Sequence, residues 1–339
     1  MRLRRSDPSA PGIRRVRRGR GFSYECDGRR VTEPATLARI RDLVIPPAWR
    51  DVWICADERG HIQAVGTDAA GRRQYRYHDA WRVKRDAAKF AHLREFAAGL
   101  RTLRRTVASD LERRGLCEPR VLAAAVRILD LAAFRIGGEA YAQDDDVLGD
   151  ATFGLATLRR DHVSVRGDRL TFCFPAKGAQ EVERDVEDAP LAAVVRALLR
   201  RPDPNEEFLG YWDGGAWHDV RSADINAYLR AASGADITAK DFRTWHATVA
   251  AAVALALAGE TATATGQRRA VAAAMRETSQ LLGNTPTVTR KSYVDAQVVD
   301  LYEQGVTIDL PGRVDDLASA FADRPTWERA ERAVRRLLT

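Results

Sequence analysis

The sequence predicts an α+β protein: a small β-rich N-terminal domain, then a larger, mainly α-helical domain with a three-stranded β insert. Three observations predict it. A chain of 339 residues exceeds what one hydrophobic core comfortably supports, so two domains are expected. Short alternating runs punctuated by turn residues fill positions 21 to about 88, and beyond Lys89 the apolar period becomes three and four. One alternating island, 162–186, interrupts the helical part.

The elements follow in order. Residues 1–20, "MRLRRSDPSAPGIRRVRRGR", are arginine-rich and broken by Pro and Gly, a composition that reads as a disordered basic tail. In 21–88, "FSYEC-DG-RRVT" places Asp27-Gly28 between alternating residues, a hairpin signal, and "DVWICADERGHIQAVGTDAAGRRQYRYH" continues with β-rich runs. From 89 to 339, Leu93, Phe96, Leu100, Leu103, Val107 and Leu111 form one helical stripe. Val121, Leu122, Ala125, Ile128, Leu129 and Ala132 form a second. The insert "HVSV-RGD-RLTFCF-PAKGAQ-EVERDV" reads as three strands joined by two turns. Helical pattern returns at 190–201, 222–233, 243–282, 286–304 and 325–338. Gly283 is placed to end one helix, and Thr285-Pro286 to start the next.

Charge narrows the partner. Lys and Arg total 54 against 47 Asp and Glu, for a net charge of +7. Only five of the cations are lysines (Lys84, Lys89, Lys177, Lys240, Lys291), so the excess is carried by arginine, whose planar fork suits phosphate. That balance points toward a polyanion. Cys26, Cys55, Cys117 and Cys173 show no C-x-x-C spacing and read as reduced thiols. The longest apolar run, 248–259, is too short to span a bilayer, and the N-terminal arginines are followed by no apolar h-region. A cytoplasmic, nucleoid-associated protein is expected, with no membrane partner.

Several residues stand out as candidates, each with an ordinary structural alternative. Lys177 lies in the turn "PAKGAQ", either a solvated turn lysine or a cation presented to a partner. Arg135, in "AAFRIGGEAYA", follows an apolar helix face and either pairs with Glu139 or awaits an anion. Arg243, in the first turn of a helix behind Lys240 and Asp241, either helps build an anion site or faces solvent while Asp241 caps the helix. His246 reads as a packing residue. Asp144-Asp145-Asp146 reads as a solvated acidic loop, lacking the glycine and distal glutamate of a calcium site. Tyr293, two turns into the helix begun at Thr285-Pro286 and flanked by Arg290 and Lys291, is either a packing aromatic with a wet tip or a nucleophile among cations.

Together these residues suit phosphoryl transfer to tyrosine. Two arginines can clamp the non-bridging oxygens where charge accumulates, a lysine can protonate the departing sugar oxygen, and cations around a phenol favour its phenolate. Neither metal nor cofactor is required.

The motifs "GRRQYRYH" (71–78), "FRIGGE" (134–139), "TFGLATL" (152–158), "PAKG" (175–178), "KDFRTWHAT" (240–248) and "LLGNTPTVTRKSYV" (281–294) occur in the order found in the type IB DNA topoisomerases of poxviruses and bacteria. The resemblance covers about residues 21 to 305. It implies a β-rich clamp domain and a helical catalytic domain around duplex DNA, working as a monomer. It also implies strand cleavage through a 3′-phosphotyrosyl bond, rotation that relaxes supercoils of either sign, and religation without ATP or metal. Carried over residue by residue, Tyr293 resembles the nucleophile, Arg135 and Arg243 the transition-state arginines, and Lys177 the general acid. Lys240 resembles a lysine three residues before the second arginine, and Gln74, Tyr75 and Tyr77 resemble DNA-facing residues. Arg290 and Lys291 are expected to meet DNA beside the tyrosine. One departure stands out: many members carry histidine nine residues before the tyrosine, where this chain has Asn284. An amide can still donate a hydrogen bond to a phosphate oxygen. Two other readings remain: a tyrosine site-specific recombinase, which usually begins with a helical domain, and a DNA-binding protein of the same fold that has lost catalysis.

Overall fold

The computed structural model describes residues 2–138, 152–176, 180–310, 312 and 314–339. The chain separates into two compact units, Met1–Ala91 and His92–Thr339.

In the first unit, β1 (Ile13–Arg18), β2 (Gly21–Cys26), β3 (Arg29–Arg30), β4 (Arg50–Ile54), β5 (Ile62–Thr67) and β6 (Arg73–Tyr77) form one sheet, ordered β3-β2-β1-β4-β5-β6. Every neighbouring pair is antiparallel. The β2–β3 turn uses Asp27 and Gly28 with φ of 47° and 74°, the left-handed pair a two-residue hairpin needs. Helix α1 (Pro34–Asp42), not evident from the alternation, packs Ile40 onto Ile13, Val52, Ile54 and Ala64 to make the core of this unit.

The expected tail is a correction. Residues 13–18 form an interior strand, with Arg14 opposite Glu25 and Ile13 opposite Ile54. Composition misled because strand pairing satisfies the backbone whatever the side chains are, and arginine stems pack well. The Arg15 guanidinium stacks 4.2 Å from the Phe22 ring and donates to the Trp49 carbonyl at 2.6 Å. Ahead of the strand, the Arg4 amide donates to the Arg59 carbonyl at 2.8 Å, and the Ser6 amide donates to His61 Nδ1 at 2.9 Å.

The unit boundary falls within α2 (Asp79–Leu111), whose predicted stripe is buried from Leu93 onward. Helix α3 (Glu118–Ala132) likewise buries its predicted stripe. The insert forms an antiparallel sheet of β7 (Val163–Arg166), β8 (Arg169–Ala176) and β9 (Gln180–Glu187) in sequence order. Next come α4 (Ala189–Arg200) and a hairpin, β10 (Gly210–Asp213) and β11 (Ala216–Asp219). The Gly214-Gly215 pair that turns this hairpin was a readable signal. Then follow α5 (Ser222–Ser233), α6 (Ala239–Ala258), α7 (Ala264–Leu282), α8 (Pro286–Ser292), α9 (Ala296–Glu303), α10 (Leu317–Ala322) and α11 (Arg324–Leu337). The helical pattern over 243–282 is thus two helices, parted at Gly259 (φ 68°), and that over 286–304 is parted after Ser292.

Helix α6 runs through the core, buried without interruption from Phe242 to Leu255. A polar lattice ties it to α2, α3 and α11. Arg104 donates to Asp130 Oδ2 at 2.9 Å and to Glu331 Oε2 at 2.7 Å, and Arg324 donates to Asp130. Trp245 donates to Glu331 at 3.1 Å and Trp327 to His246 Nδ1 at 3.2 Å. Burial would raise the Asp130 carboxyl, but Arg324 and Arg104 hold it well below the usual carboxylate range. Burial pulls His246 down to about 3, so its ring is neutral at physiological pH. The packing role read for His246 fits this position.

Candidate active site

The end of α3 fixes the first candidate. Ala133 takes a left-handed conformation (φ 54°), turning Phe134 onto Phe172 and Phe174, both at 5.2 Å with edge-on geometry. Arg135 follows, and its backbone is pinned by a second segment. Its carbonyl accepts from the Leu155 amide at 2.9 Å, and that of Ile136 accepts from Ala156 at 2.7 Å. Gly137 and Gly154 pass so closely that a Cβ on Gly154 would fall 2.5 Å from the Gly137 Cα. The glycines of "FRIGG" and "TFGL" are therefore two halves of one contact, and only glycine fits it.

The start of α6 fixes the second. Asp241 reaches back to the Thr238 amide at 2.8 Å and so completes the cap. Arg243 does not face solvent as the capping alternative would have it: it is 4% exposed. Its Nη1 donates to the Ala133 carbonyl at 2.5 Å and its Nη2 to that of Leu282 at 2.9 Å. Burial, then the neighbouring Arg135, pull its pKa down to about 10, which leaves it charged at neutral pH.

Helix α7 supplies the meeting point. Gly283 ends it in the left-handed conformation (φ 59°), as its placement predicted, and Arg135 Nη2 donates to its carbonyl. The same Nη2 donates to Asn284 Oδ1 at 2.5 Å. Because arginine offers only donors, this contact orients the amide and turns Nδ2 away, where it has no hydrogen-bond partner among the described residues. Burial lowers the Arg135 pKa, with Tyr293 acting in the opposite direction.

Thr285 caps α8 through the Val288 amide at 3.3 Å. Tyr293 stands at the end of that helix, not two turns inside a longer one. The amides of Tyr293 and Val294 both bond to the Thr289 carbonyl, and Asp295 caps α9. Thr248, on α6, donates to the Tyr293 carbonyl at 3.3 Å and so ties the tyrosine backbone to the helix that carries Arg243. The half-buried tyrosine ring lies 5.4 Å from the Arg243 guanidinium.

Arg135, Arg243 and Asn284 line a cavity of about 470 Å³, beside which Tyr293 sits. Lys177 lies outside the described residues, as do Glu139 and Asp144 to Asp146; Ala176, just before Lys177, lines the cavity. Lys240, Arg290 and Lys291 are exposed on α6 and α8. Gln74, Tyr75 and Tyr77 lie on β6, an edge strand of the first unit. Tyr75 and Tyr77 share a face and stack at 6.0 Å, whereas Gln74 points to the other face and donates to Asp68 at 2.9 Å. The sequence reading missed Thr248 and Arg184. Arg184 also lines the cavity and donates to the Leu281 carbonyl at 2.8 Å. Its signal was present in "EVERDV", where the arginine shares the Val182 and Val186 face of β9.

Among the described residues no cluster of His, Cys, Asp or Glu is arranged to hold a metal, and no helix is long and apolar enough to cross a membrane. Residues 78–308 match the family model described as eukaryotic DNA topoisomerase I, catalytic core. Residues 21–68 match that of the bacterial DNA topoisomerase IB N-terminal domain. A DNA topoisomerase 1B of Acanthamoeba polyphaga mimivirus is 28% identical over 314 residues, covering 90% of this chain and 91% of the relative. With the catalytic-core match spanning more than half of its length, the chain belongs to the type IB DNA topoisomerase family and is an enzyme that acts on DNA.

Proposed function

We propose that the protein relaxes supercoiled DNA by reversible transfer of one strand to Tyr293. The phenolic oxygen attacks the scissile phosphorus, the Oη–P bond forms, and the P–O5′ bond breaks. The phenol's proton passes to solvent, and Lys177 protonates the departing 5′ oxygen. Arg135 and Arg243 hold the non-bridging oxygens as charge builds on them, and Asn284 Nδ2 donates a further hydrogen bond. The strand is left on the tyrosine through its 3′ phosphate. The free 5′ end rotates, and the 5′ hydroxyl then attacks in reverse. The phosphotyrosyl bond conserves the energy of the phosphodiester, so the cycle needs no ATP, and phosphate charge is met by side chains without a metal.

The observation that carries this reading is the pair of arginines beside Tyr293, Arg243 buried and Arg135 half-buried. Both are bonded to backbone carbonyls, and neither forms an ion pair with a carboxylate among the described residues. Buried cations without acids call for an anion. We take residues up to about 88 as a DNA-gripping domain and the remainder as the catalytic one. Tyr75, Tyr77 and Gln74 of the first, and Lys240, Arg290 and Lys291 of the second, contact duplex DNA. The enzyme acts as a monomer on chromosomal DNA.

The test is relaxation of positively and negatively supercoiled plasmid, with chelator present and ATP absent, followed by denaturation to trap covalent adducts. Wild type is expected to relax both signs and leave a 3′-linked adduct, and Tyr293→Phe to do neither while still binding DNA. DNA binding by wild type without adduct or relaxation would replace this reading with a binder that has lost catalysis. Paired exchange at specific sites would replace it with a recombinase.

A further inference from the structure

We propose that Arg184 is a third phosphate-binding cation of this site, touching the DNA backbone alongside Arg135 and Arg243. The inference rests on the reading of the cavity as a phosphate site. It starts from the last turn of α7. The carbonyls of Leu281, Leu282 and Gly283 each accept from a different arginine: Arg184, Arg243 and Arg135 in turn. A helix C-terminus carries about half a negative charge, so it offsets only part of three guanidinium charges. Among the described residues none of the three arginines is in an ion pair with a carboxylate. Glu181 and Glu183, exposed on the opposite face of β9 from Arg184, also reach the cavity wall, where the three arginines outnumber them.

Arg184 is held for contact, not left to solvent. Its guanidinium lies 6.0 Å from the Phe321 ring centroid, it lines the same 470 Å³ cavity as Arg135 and Arg243, and its Nε has no hydrogen-bond partner among the described residues. Burial pulls its pKa below the ordinary arginine value, so the charge is kept in place against its desolvation. An excess of positive charge around one cavity calls for a partner whose negative charges repeat, and a DNA strand supplies one at every phosphate.

The competing role is mechanical: Arg184 would only staple β9 to α7. Salt dependence separates the two, because each phosphate contact contributes about 0.9 to the slope of log affinity against log salt. The experiment measures duplex binding across a salt series, single-turnover cleavage and thermal unfolding for the full chain, R184Q, R184M and R184K. R184M keeps the apolar stem packing, so a neutral variant remains if R184Q fails to fold. The expected result is a slope shallower by about 0.9 in the neutral variants, cleavage slowed about tenfold or more, and most of both recovered in R184K. An unchanged slope, with any loss of rate tracking a lower melting temperature, would leave Arg184 as a staple and overturn the proposal. Failure of wild type to form an adduct would sink the phosphotyrosyl reading instead, and the slope would still decide Arg184.

Discussion

Two groups of arginines in the helical unit, half-buried except for the buried Arg243, differ in what neutralises them. Arg104 and Arg324 meet Asp130, Glu331 and Glu328 in a closed lattice. Burial would lower the Arg104 pKa, but Asp130 and Glu331 raise it above the ordinary arginine value. Arg135, Arg184 and Arg243 donate to carbonyl oxygens and, among the described residues, to no carboxylate; the pKa of each is lowered, with burial the leading cause. The same side chain is completed by a carboxylate in one group and, among the described residues, is left without one in the other. Burial alone does not distinguish the two groups; the identity of the acceptor does.

The largest expected effect breaks the closed lattice. Asp130→Asn leaves Arg104 and Arg324 with too few negative charges, and should cost about 3–5 kcal/mol of stability by urea unfolding. A loss under about 1 kcal/mol would mean that the lattice is not the brace described above. The open cluster should respond oppositely. Arg243→Gln removes a buried, uncompensated charge, so lost hydrogen bonds and relieved desolvation roughly cancel, and stability should change by no more than about 1 kcal/mol. Cleavage, read as covalent adduct formed in a single turnover, should fall about 100- to 1,000-fold. A variant that unfolds as readily as Asp130→Asn would erase the contrast.

The subtlest readout, a difference between two pH slopes, is titration of His246 at the lattice edge. Its native pKa is lowered to about 3, against about 6.5 for an ordinary histidine. Between those values the unfolded chain holds a proton that the native state does not. Stability therefore rises with pH through this window, is fully present above about 6.5, and is lost as pH falls toward 3. Unfolding free energies measured from pH 7 to 4 should show a slope about one proton smaller in His246→Gln than in wild type. Equal slopes would mean that another group carries the acid sensitivity.

The α+β class, the two helical stripes and the three-stranded insert were legible because periodicity and turn residues report local geometry directly. So was the end of α7, where Gly283 adopts the conformation that only glycine takes cheaply. The strand at 13–18 was hidden because its partners, β2 and β4, lie elsewhere in the chain and composition says nothing about pairing. The break after Ser292 was hidden for a related reason, since the Thr248 hydroxyl that holds the Tyr293 carbonyl comes from α6. The family resemblance named Arg135, Lys177, Arg243 and Tyr293 as a set, with Asn284 where many members carry histidine, while Arg184 was visible only as an oddity of strand alternation.

Local chemistry, then, sufficed for the fold class, the two helical stripes and the three-stranded insert, since each depends on residues a few positions apart. What only the folded chain decided is which arginines receive a carboxylate and which do not. Asp130 and Glu331 stand far apart in sequence yet converge on Arg104, while the three carbonyls closing α7 draw Arg135, Arg184 and Arg243 from three other segments. Charge compensation is a property of distances in space, and those are set by packing.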